Sequence, residues 1–457
     1  MSESRSKAAG SSFVIDMTKG NSMQLILKFT LPLLVGNLFQ QVYNVVDSIV
    51  VGRHLGANAL GGVGSVGLVN FMFFSLCSGM ASGIGVVISG YFGAKKEDEV
   101  KKAIANALYV ILAAGILMSV LSLIFARGIL TLMNTPEENF SYAYTYMRIM
   151  CGFTFVVAIY NGISAILRAL GDSKTPLIFL VVASVINVIL DILLVIVLDC
   201  GVAGAAYATV FSQFVSGIGS ILFAVKKNPY FMLKKEHFKF DKQILQKDFR
   251  IGIPMSIQTA MISISCVLLQ TLINGYGATV MAAYTATGKV ESVIFQPYSS
   301  LGIAMSTFAG QNVGAKDYKR IKKAIMQAMG ITLAFSLILF VVILLFRENI
   351  IAAFVVEKDV IEIGSKALII SGSMYFALGT IYTLRGVLNG MGDVFFSMLN
   401  GILEVGGRIF FAVVLMYVFK LGFWGVWYTN VLTWVVIASS AAVRLVFFFR
   451  KKERAQS

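Results

Sequence analysis

Runs of roughly 20 apolar residues recur along the whole sequence, and each is long enough to cross a bilayer core of about 30 Å. A backbone inside lipid must satisfy its own polar groups, so such runs are predicted to be helices. The chain is 57% hydrophobic and 13% charged, whereas soluble domains are about 45–50% apolar and about 25% charged. The sequence therefore predicts an all-α membrane protein.

The apolar runs predict twelve transmembrane helices. They cover residues 24–51, 60–90, 101–126, 140–166, 176–198, 203–225, 251–274, 280–309, 322–346, 361–384, 394–419 and 424–448. Several of these runs exceed the minimum length, so we expect tilted or extended helices.

Basic residues alternate along the connections between these helices. They are frequent in the N-terminal segment (Arg5 and Lys7), after the second helix (Lys95) and in the long connection 226–250. The intervening connections, such as 135–139, are short or acidic. This positive-inside pattern predicts that both termini are cytosolic. The net charge of +15 is therefore interpreted as topology and attraction to anionic lipid heads, and no nucleic-acid partner is expected.

The two halves of the sequence resemble each other. GAKKEDEVKKAI (93–104) matches GAKDYKRIKKAI (314–325), and GVAGAAY (201–207) matches GFWGVWY (422–428). Both matches have the same offset, which we call the repeat offset and which relates position 93 to position 314. Pro32 and Pro254 lie at similar positions near the start of each half. Several matches in one register indicate an internal duplication.

The duplication predicts two pseudo-symmetric six-helix bundles. The expected boundaries are an N-terminal lobe over 1–225, a basic cytosolic linker over 226–250 and a C-terminal lobe over 251–457. Repeats of equal orientation are typical of transporters that alternate access between two halves.

Two short motifs suggest other functions, and both have simpler explanations. GVGSVG (62–67) fits a dinucleotide fingerprint but lies at the start of a membrane helix, where small residues favour helix packing. GMGD (390–393) fits an intramembrane protease motif, yet Asp393 repeats Asp172 at the repeat offset. A motif present twice at helix ends is interpreted as structural, so no enzymatic activity is expected.

The predicted helices of the first half contain a set of polar residues. Asn187 and Asp191 are four residues apart and share one helix face. Asp47 lies deep in the first predicted helix, and an aspartate at the bilayer centre costs roughly 2.5–3.5 kcal/mol. Thr209 is a further polar residue in the sixth helix. The supporting candidates are Tyr43, Asn44 and Asn161.

Two interpretations of these residues are open. In the first they form a hydrogen-bonded polar core, with the acids protonated. In the second they bind a proton or a cation, because carboxylate, amide and hydroxyl oxygens are hard ligands. Two neighbouring acids in an apolar setting would titrate as a coupled pair, as an ion-coupled carrier requires. Asp47, Asn187, Asp191 and Thr209 are the candidates.

The second half has a different set of charges at the corresponding place. Glu404 and Arg408 are one helical turn apart, so we expect a structural ion pair. Glu291 and Arg385 are candidates to extend that ion pair into a network. The predicted ion site is therefore confined to the first lobe.

The sequence resembles the multidrug and toxic compound extrusion (MATE) family over nearly its whole length. The resemblance rests on LPLLVGNLFQQVYNVVDSIVVGRHLGANALGGVG (31–64), LRALGDSKTP (167–176) and QNVGAKD (311–317). It implies that Asp47 is essential to coupling. Asn187, Asp191 and Thr209 match the branch of the family with a cation site in the N-terminal lobe, and Tyr43 fits the same site.

The resemblance implies secondary active efflux of organic cations and amphipathic drugs, with substrate in a central, outward-opening cleft. The expected coupling ion is H⁺ or Na⁺, with no other metal and no cofactor. We expect a monomer that spans the plasma or inner membrane many times. The alternative within the same superfamily is a flippase for lipids or lipid-linked oligosaccharides. Such flippases tend to have several basic residues in their cavity, whereas the first lobe here is acidic.

Overall fold

The computed structural model describes residues 13–133 and 135–454, so the N-terminal Arg5 and Lys7 lie outside the described residues. The first half contains α1 (Ser22–Leu55), α2 (Ala57–Gly93), α3 (Glu97–Leu132), α4 (Glu137–Gly152), α5 (Thr154–Ala169), α6 (Lys174–Asp191) and α7 (Gly201–Lys227). The second half contains α8 (Lys242–Asn274), α9 (Ala278–Gly314), α10 (Tyr318–Ala352), α11 (Lys358–Gly372), α12 (Tyr375–Gly390), α13 (Val394–Val413) and α14 (Trp424–Arg454).

The predicted helices are present, and most extend beyond the predicted ends. Within the described residues, nine helices are individually long and apolar enough to cross a membrane. Two further spans are pairs of helices, α4 with α5 and α11 with α12, bent by 48° and 50° at short breaks. The sequence predicted each of these pairs as one continuous helix. The remaining predicted span corresponds to helix α9, which is not among these apolar helices and whose polar composition is considered below.

The chain forms two compact units. Among the described residues, the second unit contains residues 20–30 and the chain from Ile257 onward, and the first unit contains the rest. The lobe boundaries expected from the sequence remain predictions.

The backbone repeats the duplication seen in the sequence. Gly56 and Gly277, which are related by the repeat offset, adopt φ values of 87° and 91° ahead of α2 and α9. Lys95 and Lys316, related in the same way, adopt φ values of 58° and 59°, a left-handed conformation that is uncommon for residues other than glycine. A π-helical turn follows α6 at Ile192–Val197, and another follows α13 at Val414–Val418. The halves therefore share local geometry as well as sequence.

Small residues let helices approach closely in the first unit. A Cβ atom at Gly83 would meet the backbone of Gly252, and one at Gly79 would meet the backbone of Ser256. The Ser256 hydroxyl donates to the Leu76 carbonyl at 2.7 Å across the same contact. These contacts support the interpretation that the small residues of α2 serve helix packing.

The connection between α7 and α8 packs against the N-terminal end of α3. The Asn106 side chain donates to the Lys239 carbonyl at 3.2 Å and accepts from the Asp241 amide at 2.9 Å. His237 is buried, and its Nε2 lies 3.2 Å from Asp98 Oδ1. The basic linker predicted from the sequence is therefore held against the first unit.

Candidate functional site

Asp191 is the last residue of α6 and is fully buried in the first unit. Neither of its carboxylate oxygens has a hydrogen-bond partner in the protein. Buried polar atoms are nearly always paired in proteins, and among the described residues Asp248 shares with Asp191 the property of two buried carboxylate oxygens without a partner. A hydrogen-bonded polar core, the first interpretation of these residues, does not account for Asp191.

Asp47 of α1 lies close enough to Asp191 for the two carboxylates to interact electrostatically. Its Oδ1 is buried and also has no hydrogen-bond partner in the protein. Like charges in a low-dielectric interior repel each other, so a proton or a cation between the two acids is favourable. The structure therefore brings together the two acids that the sequence singled out.

Asn187 and Thr209 complete the wall of this site. The Asn187 amide donates to the Thr209 hydroxyl at 3.4 Å, and Thr209 donates to the Ala205 carbonyl at 3.1 Å. These bonds leave the Asn187 Oδ1 without a partner, although Asn187 is only 1% exposed. The site thus combines carboxylate oxygens and an amide oxygen, the hard ligands suited to Na⁺ and to proton exchange.

Tyr146 of α4 belongs to the same site and was missed in the sequence. It is buried, and the charges of Asp47 and Asp191 both act on its hydroxyl group. Tyr43 of α1 is a further electrostatic neighbour of Tyr146 and of Asp47. The sequence offered no strong signal, because Tyr146 lies in a stretch with several other tyrosines.

Asn44 and Asn161, the other two supporting candidates, have no contact with the two acids in the hydrogen bonds of the described residues. Asn44 is exposed on α1, three residues before Asp47. Asn161 donates to the Val157 carbonyl of its own helix at 2.9 Å. Their role in the site remains a prediction without a contact that supports it.

The second unit contains an ion-pair network centred on α13, the helix that corresponds to α6 in the duplication. Glu404 Oε2 lies 3.0 Å from the Arg385 guanidinium, and Glu404 Oε1 lies 3.3 Å from that of Arg408. Asn400 accepts from Arg385 at 2.8 Å, and Ser265 accepts from Arg408 at 2.8 Å. The three charged side chains are almost fully buried, so these charges are bound to one another.

Glu291, the fourth residue proposed for that network, forms no ion pair among the described residues. The charge of Arg408 acts on its carboxylate, and Ser371 and Tyr375 lie beside it. Glu291 is therefore a neighbour of the network rather than a member.

The two loop aspartates of the ALGD and GMGD motifs have structural partners. Asp172 accepts from the Thr175 amide at 2.9 Å at the start of α6. Asp393 forms a bidentate ion pair with Arg444 at 2.6 and 3.1 Å. Both contacts agree with the structural interpretation of the motifs.

Among the described residues, no group of three or more His, Cys, Asp and Glu side chains is arranged to hold a metal ion.

Comparison with known proteins places these features in a family context. The MatE family model matches the chain twice, over residues 32–193 and 254–414. A probable multidrug resistance protein of Bacillus subtilis, YoeA, is 31% identical over 407 residues, which cover 87% of this chain and 88% of that one. Another from the same organism, YpnP, is 30% identical over 390 residues, covering 82% of this chain and 84% of that one.

Among solved structures, the outward-facing conformation of a multidrug resistance MATE family transporter of the MOP superfamily superimposes with a TM-score of 0.90. The match covers 97% of this chain and 99% of that chain at 22% identity. At this identity the likeness concerns the fold, which is that of a multi-pass transporter.

Proposed function

Because this chain belongs to the MatE family of membrane transporters, we propose that it is a secondary active exporter of small amphipathic molecules. Inward movement of H⁺ or Na⁺ through the first unit drives the export, and organic cations are among the expected substrates. The names of the Bacillus subtilis relatives support a multidrug range. The basic connections support a plasma-membrane orientation with both termini in the cytosol.

One observation carries the proposal: four buried oxygen atoms on α1 and α6 have no hydrogen-bond partner in the protein, and the two carboxylates among them interact electrostatically. They belong to Asp47, Asn187 and Asp191. A carboxylate pair in this setting is stable only when an ion or a proton offsets its charge. Buried carboxylates without a protein partner therefore support a site that takes up and releases an ion.

The chemistry of coupling follows from this charge balance. When an ion from outside occupies the pair, the site is close to neutral and the surrounding helices can close over it. When the site opens to the cytosol, water solvates the carboxylates and the ion leaves. Ion and exported molecule must each weaken the binding of the other in at least one state, because such coupling is reciprocal.

Removal of either acid tests the proposal. We expect efflux of a fluorescent cation from cells that express Asp47→Asn or Asp191→Asn to fall to the level of cells without the transporter. Asp199→Asn is the matched control, because Asp199 follows the same helix but its side chain is 82% exposed. Efflux at the wild-type rate in both acid variants, at equal expression, would contradict the proposal.

Proteoliposomes identify the coupling ion. Purified protein is reconstituted into vesicles, and an Na⁺ gradient or a pH gradient is imposed across the membrane. Transport of a fluorescent cation is then measured under each gradient. Transport driven by one gradient alone assigns that ion. Transport that needs neither gradient, together with lipid flipping in the same vesicles, would favour the flippase alternative over antiport.

A further inference from the structure

Helix α9 differs from the other long helices of the described chain, because it is not among those apolar enough to cross a membrane. It nevertheless extends over 37 residues from Ala278 to Gly314. Its polar residues Thr285, Lys289, Ser292 and Gln296 follow one another at spacings of four, three and four. This spacing aligns them along one face of the helix.

The two faces of α9 have opposite environments. Ala283, Val290 and Ile294 are buried in the second unit on one side. Thr285 and Lys289 are exposed on the other, which we call the polar face of α9. The Thr285 and Ser292 hydroxyls donate to carbonyls of their own helix at 2.9 and 2.7 Å. Met281 and Val293 are exposed on the same side, one turn before Thr285 and one turn after Lys289. The hydrogen bonds given for the polar side chains of this face stay within α9.

Lys289 lies deep within the helix. It is eleven residues beyond Ala278, which is about 16 Å at a rise of about 1.5 Å per residue. That depth is close to the middle of a bilayer core of about 30 Å. A lysine this deep does not reach the interface by extending its side chain, as lysines near helix ends do.

Nothing in the described protein neutralises Lys289. The ammonium group is not a member of any ion pair among the residues that the structure describes. An unpaired charge at membrane depth is tolerated where it faces water rather than lipid. The exposure of Lys289 therefore favours contact of its ammonium group with water.

The lysine is particular to the second half. At the repeat offset the first half has Leu68, within a helix that is apolar enough to span the membrane. The duplication alone does not explain a charge at this position. An ammonium group offers three donors and no acceptor, so its natural partner is an oxyanion.

We propose that Lys289 binds an anionic oxygen group, a carboxylate or a phosphate, on the molecules that this transporter exports. The inference rests on the proposed export function and adds to its substrates amphipathic compounds that carry a negative group, zwitterions included. The acidic pair of the first unit and the lysine of the second would then serve different partners, the coupling ion and the exported molecule.

The test compares two dyes that differ in one charge: a rhodamine with a free carboxylate and its methyl ester. Binding of each to the purified full-length protein in neutral detergent is measured by fluorescence polarisation. Wild type is expected to bind the carboxylate dye about tenfold more tightly than the ester, the ratio that one charge-assisted hydrogen bond supplies. Lys289→Gln should abolish that preference and Lys289→Arg should keep most of it.

Lys366→Gln is the matched control, because Lys366 is an exposed lysine of the same unit that is paired with Glu362. It should leave the preference unchanged. The binding measurement uses no ion gradient. Its result therefore does not depend on whether Asp47 takes part in ion coupling. Equal affinity of wild type for both dyes, or a preference that survives Lys289→Gln, would overturn the proposal.

A lipid phosphate is the other source of such an oxyanion, and a second arm distinguishes it. The titrations are repeated in mixed micelles that contain phosphatidylglycerol. If wild type still prefers the carboxylate dye in these micelles, the result supports recognition of the exported molecule by Lys289. If phosphatidylglycerol displaces both dyes from wild type but not from Lys289→Gln, the lysine holds a lipid headgroup and the proposal is wrong.

Discussion

Buried carboxylates occur in both units, and their partners separate their roles. Glu404 is bound by two guanidinium groups at 3.0 and 3.3 Å. Asp191 is at least as buried, yet neither of its oxygens has a partner. A carboxylate whose charge is already offset has little capacity to bind a mobile ion, whereas one without a partner has that capacity. Asp248 of the first unit is also buried with two oxygens that have no partner. The charge of Asp47 beside Asp191 is therefore the feature that favours Asp191 as part of the proposed ion site.

A first prediction concerns the stability of the second unit. Glu404→Gln would leave the guanidiniums of Arg385 and Arg408 buried without a counter-charge, and breaking a buried pair in this way costs about 3–5 kcal/mol. We expect a clear loss of melting temperature in detergent. Glu362→Gln is the control, because its ion pair with Lys366 is exposed, and should leave the melting temperature unchanged. A stable Glu404→Gln protein that no longer exports would instead indicate a direct part in transport.

At the scale of the helix, a long apolar run predicts that a span exists but does not predict whether that span is straight or bent. The sequence predicted one continuous helix where the structure has α4 and α5, which meet at a bend of 48°. The helix before the bend ends at Gly152, and α11 ends at Gly372 before a bend of 50°. The bends recur at equivalent places in the two halves, so they belong to the duplicated architecture.

A second prediction tests the glycine contact between α2 and α8. Gly83→Ala places a methyl group against the Gly252 backbone, and overpacking of this kind costs about 1–3 kcal/mol. We expect a lower melting temperature and reduced export. Gly90→Ala in the same helix is the control, because a Cβ there would meet nothing within 4 Å. Equal melting temperatures of the two variants would show that the helices can separate without cost.

The outcomes above show what the sequence could predict. Apolar length and basic connections predicted the helices, and the spacing of Asn187 and Asp191 predicted a shared face. Asp47 was found because an acid in an apolar run stands out. Tyr146 was missed because one tyrosine among several gives no local signal, and its role depends on tertiary contacts. The bends were missed because hydropathy does not report a change of helix direction.

At the scale of the whole chain, the duplication preserved the backbone and changed the chemistry. Left-handed residues, π-helical turns and bends recur in both halves. The charges do not recur: the first unit has Asp47 with Asp191, and the second has the Glu404 network and Lys289. A repeated backbone with different charges in its two halves fits the proposal that one half binds the coupling ion and the other recognises the exported molecule.

A third prediction tests the orientation of the chain. Cys200 is exposed and follows α6 at the predicted outer face, whereas Cys77 and Cys151 are buried. In a Cys266→Ser background, a membrane-impermeant maleimide should label intact cells through Cys200, and Cys200→Ser should abolish that labelling. Lys96→Cys, added to the double-serine protein, should react only after lysis, because the positive-inside pattern places it in the cytosol. Labelling of that cysteine in intact cells, with Cys200 reactive only after lysis, would invert the topology and with it the direction of ion flow.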